Sequence, residues 1–284
     1  MRFAFLLLPL VAACGPKPTA PAPTGPAATN APTGEFPKGP PLATPGERMT
    51  YSVQLRGIEL AQMTVAVGDV VDVAGKPSLV MQAHAQSVGF VNLVAAVNDT
   101  FTSWIDVQTG RPLRFAVDEY QTNSKTNIEH TVIDLAGREG TMIPIQFRLN
   151  DDEPKDEPQK VNEPDVWDWN SFLLALRAWE GPTGTDHPMQ IFRSRYLWNV
   201  DVKIGAKGRL ATKLGDLPAL RFDAHTYKYN RELTKTSDDE RDFSVWISDD
   251  ADRVPLQLQA QTDYGAVTMH IVDYQPGTGT RLRP

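Results

Sequence analysis

From Gly46 onward the chain alternates apolar and polar residues with a period of two, which predicts antiparallel strands with one buried face. Met49, Tyr51, Val53 and Leu55 share one side of a first strand. The Arg56–Gly57 pair turns the chain, and Ala61, Met63, Val65 and Val67 share one side of the return. Leu79, Met81, Ala83 and Ala85 make a third strand, and a hairpin over 101–120 and short alternations at 127–134 and 142–147 follow. The pattern resumes with Tyr196, Trp198, Val200, Val202 and Ile204, and again with Leu220, Phe222, Ala224 and Thr226. Phe243, Val245 and Ile247 lead through the polar turn Asp249–Asp252 to Val254, Leu256, Leu258 and Ala260. Val267, Met269 and Ile271 begin the last alternation. One run, Val88–Val97, is apolar almost throughout and fits either a short buried helix or a strand against core or a lipid-like ligand.

A helical period appears once. Trp169, Phe172, Leu173, Leu176 and Trp179 fall on one face of a helix that Gly181–Pro182 stops. Two readings of this stripe stand. Either it plugs the concave side of a curved sheet, or Trp169, Phe172, Leu176 and Trp179 line a ligand groove. Before it, the acidic, proline-broken stretch 150–165 has the oxygen donors of a calcium loop but not the spacing, and reads as a solvated connector. The polar stretch 231–241 reads as a mobile turn.

The two strand-rich regions resemble each other at an offset of about 140 residues. Phe101, Trp104 and Ile105 match Phe243, Trp246 and Ile247, and Arg111-Pro112-Leu113 stands near the place of Val254-Pro255-Leu256. Gly75–His84 matches Gly215–His225 in the same order. Strand-turn-strand units of unrelated origin also look alike, but two matches at one offset point to a duplicated meander. The predicted fold is mainly β: antiparallel, curved or incomplete barrel-like sheets from two related halves, with one packed amphipathic helix. The predicted layout is a leader over 1–13, a tether over 14–45 and a first β half over 46–150. The acidic loop and helix over 151–190, a second β half over 191–276 and a disordered tail over 277–284 complete it.

Composition changes the picture mainly at the amino end. The 284 residues are 41% hydrophobic and 22% charged, ordinary for a globular body. A net charge of -7 argues against nucleic acid or an anionic membrane surface as partner. Residues 1–14, M-R-F-A-F-L-L-L-P-L-V-A-A-C, carry one positive charge and an apolar run too short to span a bilayer, which fits a signal peptide. The ending V-A-A-C resembles the bacterial lipobox, in which the cysteine is acylated after cleavage. Cys14 is the sole cysteine, so it is the candidate lipid-attachment residue and no intrachain disulfide can form. An ordinary secretory peptide is the alternative. Gly15 rather than aspartate follows, which by resemblance implies the outer membrane, with the body facing the periplasm. Residues 15–45 hold ten prolines and read as an extended, solvated spacer.

The segment G-E-R-M-T-Y-S-V-Q-L-R-G-I-E-L-A at 46–61 resembles the opening of the bacterial DUF3108 family. The helix S-F-L-L-A-L-R at 171–177 and the strand pair V-W-I-S-D-D-A-D-R-V-P-L at 245–256 resemble that family's later motifs. The likeness covers 46–275. It departs at Ala61, where the family has glycine, which removes a close-approach position rather than any chemistry. The resemblance implies no catalytic residue. By analogy alone, the expected fold is compared with the incomplete barrels of periplasmic lipoprotein carriers.

No catalytic motif is present. The five histidines, His84, His130, His187, His225 and His270, stand singly, whereas zinc needs three or four convergent ligands. His84 and His225 occupy equivalent repeat positions and would meet only across a pseudo-twofold axis. There is no nucleophile elbow and no phosphate loop, and Asp249, Asp250 and Asp252 are explained as turn residues. No cofactor or metal is implied. Three function classes remain: a non-enzymatic lipoprotein that binds or chaperones an apolar or amphiphilic ligand, an assembly protein that grips another envelope protein, and an enzyme acting on envelope polymer.

Overall fold

The structure, a computed structural model, describes residues 34–89, 91, 96–122, 126–236, 239–262 and 264–283. Cys14 and the rest of the leader and tether up to residue 33 lie outside the described residues. So do Phe90 and Asn92–Ala95, on which the two alternatives for the apolar run 88–97 depend.

The period-two segments become two six-strand meanders. The first is β1 (Arg48–Leu55), β2 (Ile58–Val73), β3 (Lys76–Ser87), β4 (Asn98–Asp106), β5 (Pro112–Thr122) and β6 (Thr126–Asp134). The second is β12 (Asp186–Arg193), β13 (Tyr196–Thr212), β14 (Gly215–Lys228), β15 (Arg241–Ser248), β16 (Pro255–Thr262) and β17 (Gly265–Gln275). Between them run β7 (Met142–Ile143), β8 (Ile145–Leu149), β9 (Lys155–Asp156), β10 (Gln159–Lys160), β11 (Val166–Asp168) and helix α1 (Trp169–Ala178). A single 15-stranded sheet holds every strand except β7 and β10, which pair with each other. β17 pairs with β1, so the second meander precedes the first across the sheet. Its neighbours are antiparallel apart from β11 and β12. The sheet curls without closing: its edges are β9 and β11, and β11 packs against β5 without pairing to it.

The two meanders agree in strand order and in their irregularities. In each, a register shift follows the tryptophan, so that Ile105 pairs with Pro112 and Ile247 with Pro255. Both prolines open a strand, where a missing amide removes no interior ladder bond. Each long second strand bulges at a glycine, between Val67 and Val70 in β2 and between Ile204 and Lys207 in β13. A Cβ on Gly68 would lie 3.3 Å from the Val80 carbonyl oxygen, and one on Gly205 would lie 2.9 Å from that of Arg221. Val80 and Arg221 hold the same place, opposite Trp104 and Trp246. Glycine is used twice for one close backbone approach.

The inward residues of both meanders and α1 form one large core, and a smaller core joins Phe115, Val117 and Ile133 to Phe192 and Leu197. Three expectations need correction. The spacer does not run to residue 45: Phe36, Leu42 and Ala43 are buried, and the Phe36 ring lies 4.8 Å from that of Trp179. The tail is not loose, since the Leu282 amide donates to Ala43 O at 3.0 Å and Arg283 Nε to Pro40 O at 2.6 Å. The acidic connector is only partly solvated, because Gln159 and Val161 are buried and β10 lies within it. In the stretch 231–241, Arg231 is tied to Arg195 O at 2.9 Å and to Glu157 at 2.6 Å. No helix of the described residues is long and apolar enough to cross a membrane.

Candidate functional site

Helix α1 starts where Asp168 caps it. Asp168 Oδ1 accepts from the Ser171 amide at 2.9 Å, and Ser171 Oγ accepts from the Asp168 amide at 3.0 Å. The helix is buried on every side from Trp169 to Arg177, more than a single stripe predicts. Its polar residues are therefore bonded. Asn170 donates to Phe101 O and Ser103 Oγ, and Arg177 makes a two-pronged pair with Glu47 at 2.8 and 2.9 Å. Arg253 closes the other end, donating to Arg177 O at 2.6 Å and Trp179 O at 2.9 Å. Glu47, Arg177 and Arg253 all belong to the segments that carry the family resemblance. They converge on one buried joint between α1, β1 and the β15–β16 turn, so these three residues of the motifs serve the architecture.

The four expected groove residues separate. Phe172 and Leu176 are fully buried, and Trp179 is core too, its ring 5.8 Å from Phe222 and nearly parallel to it. Only Trp169 borders open space. It forms the floor of a cleft with about 50 Å³ of free volume, walled by Ile191, Trp198, Val200 and Phe243. Arg193 and Arg241 also line it. The cleft lies on the concave face at the end of the second meander where β12 runs into β13 and β15 begins.

The first meander supplies the facing charges. Asp99 is 3% exposed and accepts from the Tyr120 amide at 2.8 Å. Burial pushes its carboxyl up to about 7, opposed by that hydrogen bond, with Glu119 raising it and Arg193 lowering it to smaller degrees. Glu119 accepts a short hydrogen bond from Ser194 Oγ, and burial raises its carboxyl as well. Arg193 stands next to that serine. Burial lowers its guanidinium to about 10, and Glu119, Asp99 and Asp239 answer its charge at longer range. Among the described residues the Arg193 side chain makes no hydrogen bond or ion pair.

Pattern reading passed over Asp99, Glu119, Arg193 and Arg241, although one signal was available. Asp99 stands two before inward Phe101, Arg241 two before Phe243, and Arg193 two after Ile191. A charge in the inward phase of a strand marks a site or a partner. Another buried acid, Asp168, is pushed up to about 6 by burial, with bonds from Ser171 and Ser103 lowering it. It serves the helix cap.

The histidines do not converge. His84 meets Asn98 at 2.7 Å, His130 meets Asp118 at 2.5 Å and His225 meets Asp242 at 2.8 Å, each on a polar strand face. His187 packs edge-on against Phe36, and burial lowers its ring as it does that of His270. No group of three metal-ligating side chains exists among the described residues. A second, polar groove of about 450 Å³ crosses the outer face of β13 to β16. Within it Arg221 is paired with Asp223, and His225 is bonded to Asp242.

Among solved structures, the chain is similar to a β-barrel-like protein of the domain of unknown function DUF1849 from Brucella abortus. That likeness has a TM-score of 0.52 at 8% identity over 84% of this chain and 99% of the other. Looser likenesses link it to a protein described as exported, with a YmcC-like fold, from Bacteroides fragilis NCTC 9343 (TM-score 0.35, 5% identity, 84% and 99% covered). Another is a protein described as a lipoprotein from Parabacteroides distasonis ATCC 8503 (TM-score 0.34, 5% identity, 83% and 97% covered). The first shows the shared fold: mainly β, curled and not closed into a barrel, with a helical segment. No curated protein matches the chain. Residues 50–272, which include Arg177 and Arg253 of that joint, match the model of the family described as "Protein of unknown function (DUF3108)", and the chain belongs to that family.

Proposed function

We propose that this protein is a non-enzymatic, lipid-anchored protein of the outer membrane whose body, on the periplasmic side, binds or chaperones an apolar or amphiphilic ligand at the Trp169 cleft. The observation that carries this reading is the cleft itself, a mostly apolar concavity on the inner face of a curled sheet. Its free volume of about 50 Å³ takes the end of an alkyl chain rather than a whole lipid. Complete small-molecule sites run to about 300–1,000 Å³. The leader ending in V-A-A-C supports the anchor, and Cys14 is its acceptor.

The surface gives an assembly role less support. One sheet edge is β9, two charged residues long, and the other, β11, is buried, so neither offers a flat strand to a partner. Asp99 and Glu119 do not line the cleft, and their nearest donors are Tyr120 N–H and Ser194 Oγ, which gives acid–base chemistry little to stand on. Native mass spectrometry of the full chain extracted from membranes tests the reading. A co-purifying apolar mass is expected, reduced in Phe243→Asp, together with the mass of acyl chains on the polypeptide after denaturation. A mature chain without acyl mass would overturn the anchor. A preparation that carries no apolar mass and acquires none on incubation with lysophospholipid would overturn ligand binding.

A further inference from the structure

The two arginines of the cleft are its most specific feature. Six of its lining side chains are apolar, and the Arg193 guanidinium among them meets charge only at longer range. The Arg241 Nη1 atom donates to Glu240 O at 2.7 Å, while Arg193 is held by packing and by carboxylates that stop short of contact. Those carboxylates come from the first meander, Asp99 on β4 and Glu119 on β5. Asp239, just before β15, is the third.

We propose that the cleft selects an amphiphile with an anionic headgroup, seated on Arg193 and Arg241, and that Asp99 and Glu119 compete with that headgroup for Arg193. This rests on the ligand-binding reading above and adds the headgroup's charge and what controls its affinity. Carboxylate, phosphate and sulfonate heads share the required chemistry, a compact anion with several acceptor oxygens that matches the donor fork of arginine. The alkyl end lies against Trp169, Trp198 and Phe243.

The competition is linked to protons. Asp99 faces the Tyr120 amide and Glu119 on β5 and Arg193 on β12. Glu119 faces Ser194, Arg193 and Arg195 at the β12–β13 turn and Glu129 on β6. Both acids are raised by burial, so each keeps its proton to higher pH than an exposed carboxyl does. Below about 7 Asp99 is neutral and the Arg193 charge is available to a ligand. Above it, the ionised Asp99 carboxylate competes for the guanidinium and repels an incoming anion, and Glu119 adds to this as it ionises. Affinity for an anionic amphiphile is therefore highest at acid pH and falls as pH rises through the range in which these acids ionise.

Titration of the full chain with three probes, followed by tryptophan fluorescence and calorimetry, tests this at about pH 5.5 and about pH 8.5, on either side of the Asp99 value. Decane-1-sulfonate keeps its charge throughout, decan-1-ol has none, and methanesulfonate is the head without the chain. The expected result is sulfonate binding roughly tenfold tighter at the lower pH, with decanol unaffected and methanesulfonate weak at both. Arg193→Gln is expected to remove both the preference for sulfonate over decanol and the pH dependence. Asp99→Asn and Glu119→Gln, tested singly, are each expected to hold the tight state to higher pH. If either variant fails to fold, the wild-type pair of titrations with Arg193→Gln still decides. Sulfonate and decanol binding alike at both pH values would overturn the proposal and leave the apolar cleft standing. Failure of both to bind would overturn the ligand-binding reading and the proposal with it, and methanesulfonate binding as tightly as decane-1-sulfonate would turn the site into one for a free anion.

Discussion

β1–β6 and β12–β17 follow one plan down to the bulged glycines Gly68 and Gly205, the register shifts after Trp104 and Trp246, and the prolines that open β5 and β16. They part at one end. Asp99 pairs with Ala85 in the first meander, and Arg241 pairs with Thr226 at the matching place in the second. One copy presents a buried acid to the interior where the other presents a base. The copies also differ in their inward aromatics, since the place of Met81 in β3 is that of Phe222 in β14, on which Trp179 stacks. What the copies share is the geometry that lets a curled sheet exist. The Trp169 cleft and the carboxylates facing it arise where they diverge.

Because α1 is packed between the two meanders, removing a residue from its centre is the largest single perturbation of their relation. Phe172 is fully buried, with its ring 5.5 Å from Trp169 and 6.4 Å from Phe243. Phe172→Ala is expected to cost about 3–5 kcal/mol through lost burial and the cavity left behind. Chemical denaturation measures it. A loss below about 1 kcal/mol would mean that the helix face is not core, and would move the proposed ligand site onto the helix.

The bulged glycines sharpen the comparison at smaller cost. An added methyl at Gly205 meets a carbonyl oxygen at 2.9 Å, which backbone must move to relieve, whereas at Gly68 the contact is 3.3 Å. Gly205→Ala is expected to cost about 1–3 kcal/mol, as overpacking does, and Gly68→Ala clearly less. Equal losses in parallel denaturation curves would show that the two bulges are interchangeable and that the second copy is not the more tightly drawn.

Much of this plan is legible in the chain, and the illegible parts share a cause. Period two finds the strands because a half-buried sheet forces alternation, and inward residues such as Met63, Val65, Val202 and Phe222 are all buried as that pattern requires. The helix stripe is legible for the same reason, but its burial on the opposite side is not. Asn170 and Arg177 look like solvent residues until their partners, Ser103 and Glu47, arrive from distant strands. The cleft was half visible. Trp169 stands out as an aromatic, while Arg241 lies at the end of a polar stretch and reads as turn material unless its phase with Phe243 is counted. At the termini, composition averaged over a proline-rich segment hides Phe36, a single apolar residue that finds a place between Trp167 and Trp179. Long-range pairing, rather than local pattern, decides each of these cases.

The smallest expected effect tests the comparison most directly. Trp104 and Trp246 hold the same place, and each lies under an arginine, but from opposite neighbours. Arg114 on β5 sits 5.3 Å above Trp104, and Arg221 on β14 sits 5.2 Å above Trp246. Val80 is the first-meander counterpart of Arg221, paired with Trp104 as Arg221 is with Trp246. A guanidinium over an exposed indole face is worth about 0.5–1 kcal/mol, and geometry rather than strand identity sets it. Arg114→Ala is therefore expected to destabilise by about that amount, and adding Val80→Arg to it should restore most of the loss by covering the ring from the other side. Denaturation midpoints and the emission wavelength of Trp104 report the two steps. If Val80→Arg restores nothing, the tryptophan places are equivalent in the backbone alone, and the copies have diverged on their outer faces as well as at the cleft.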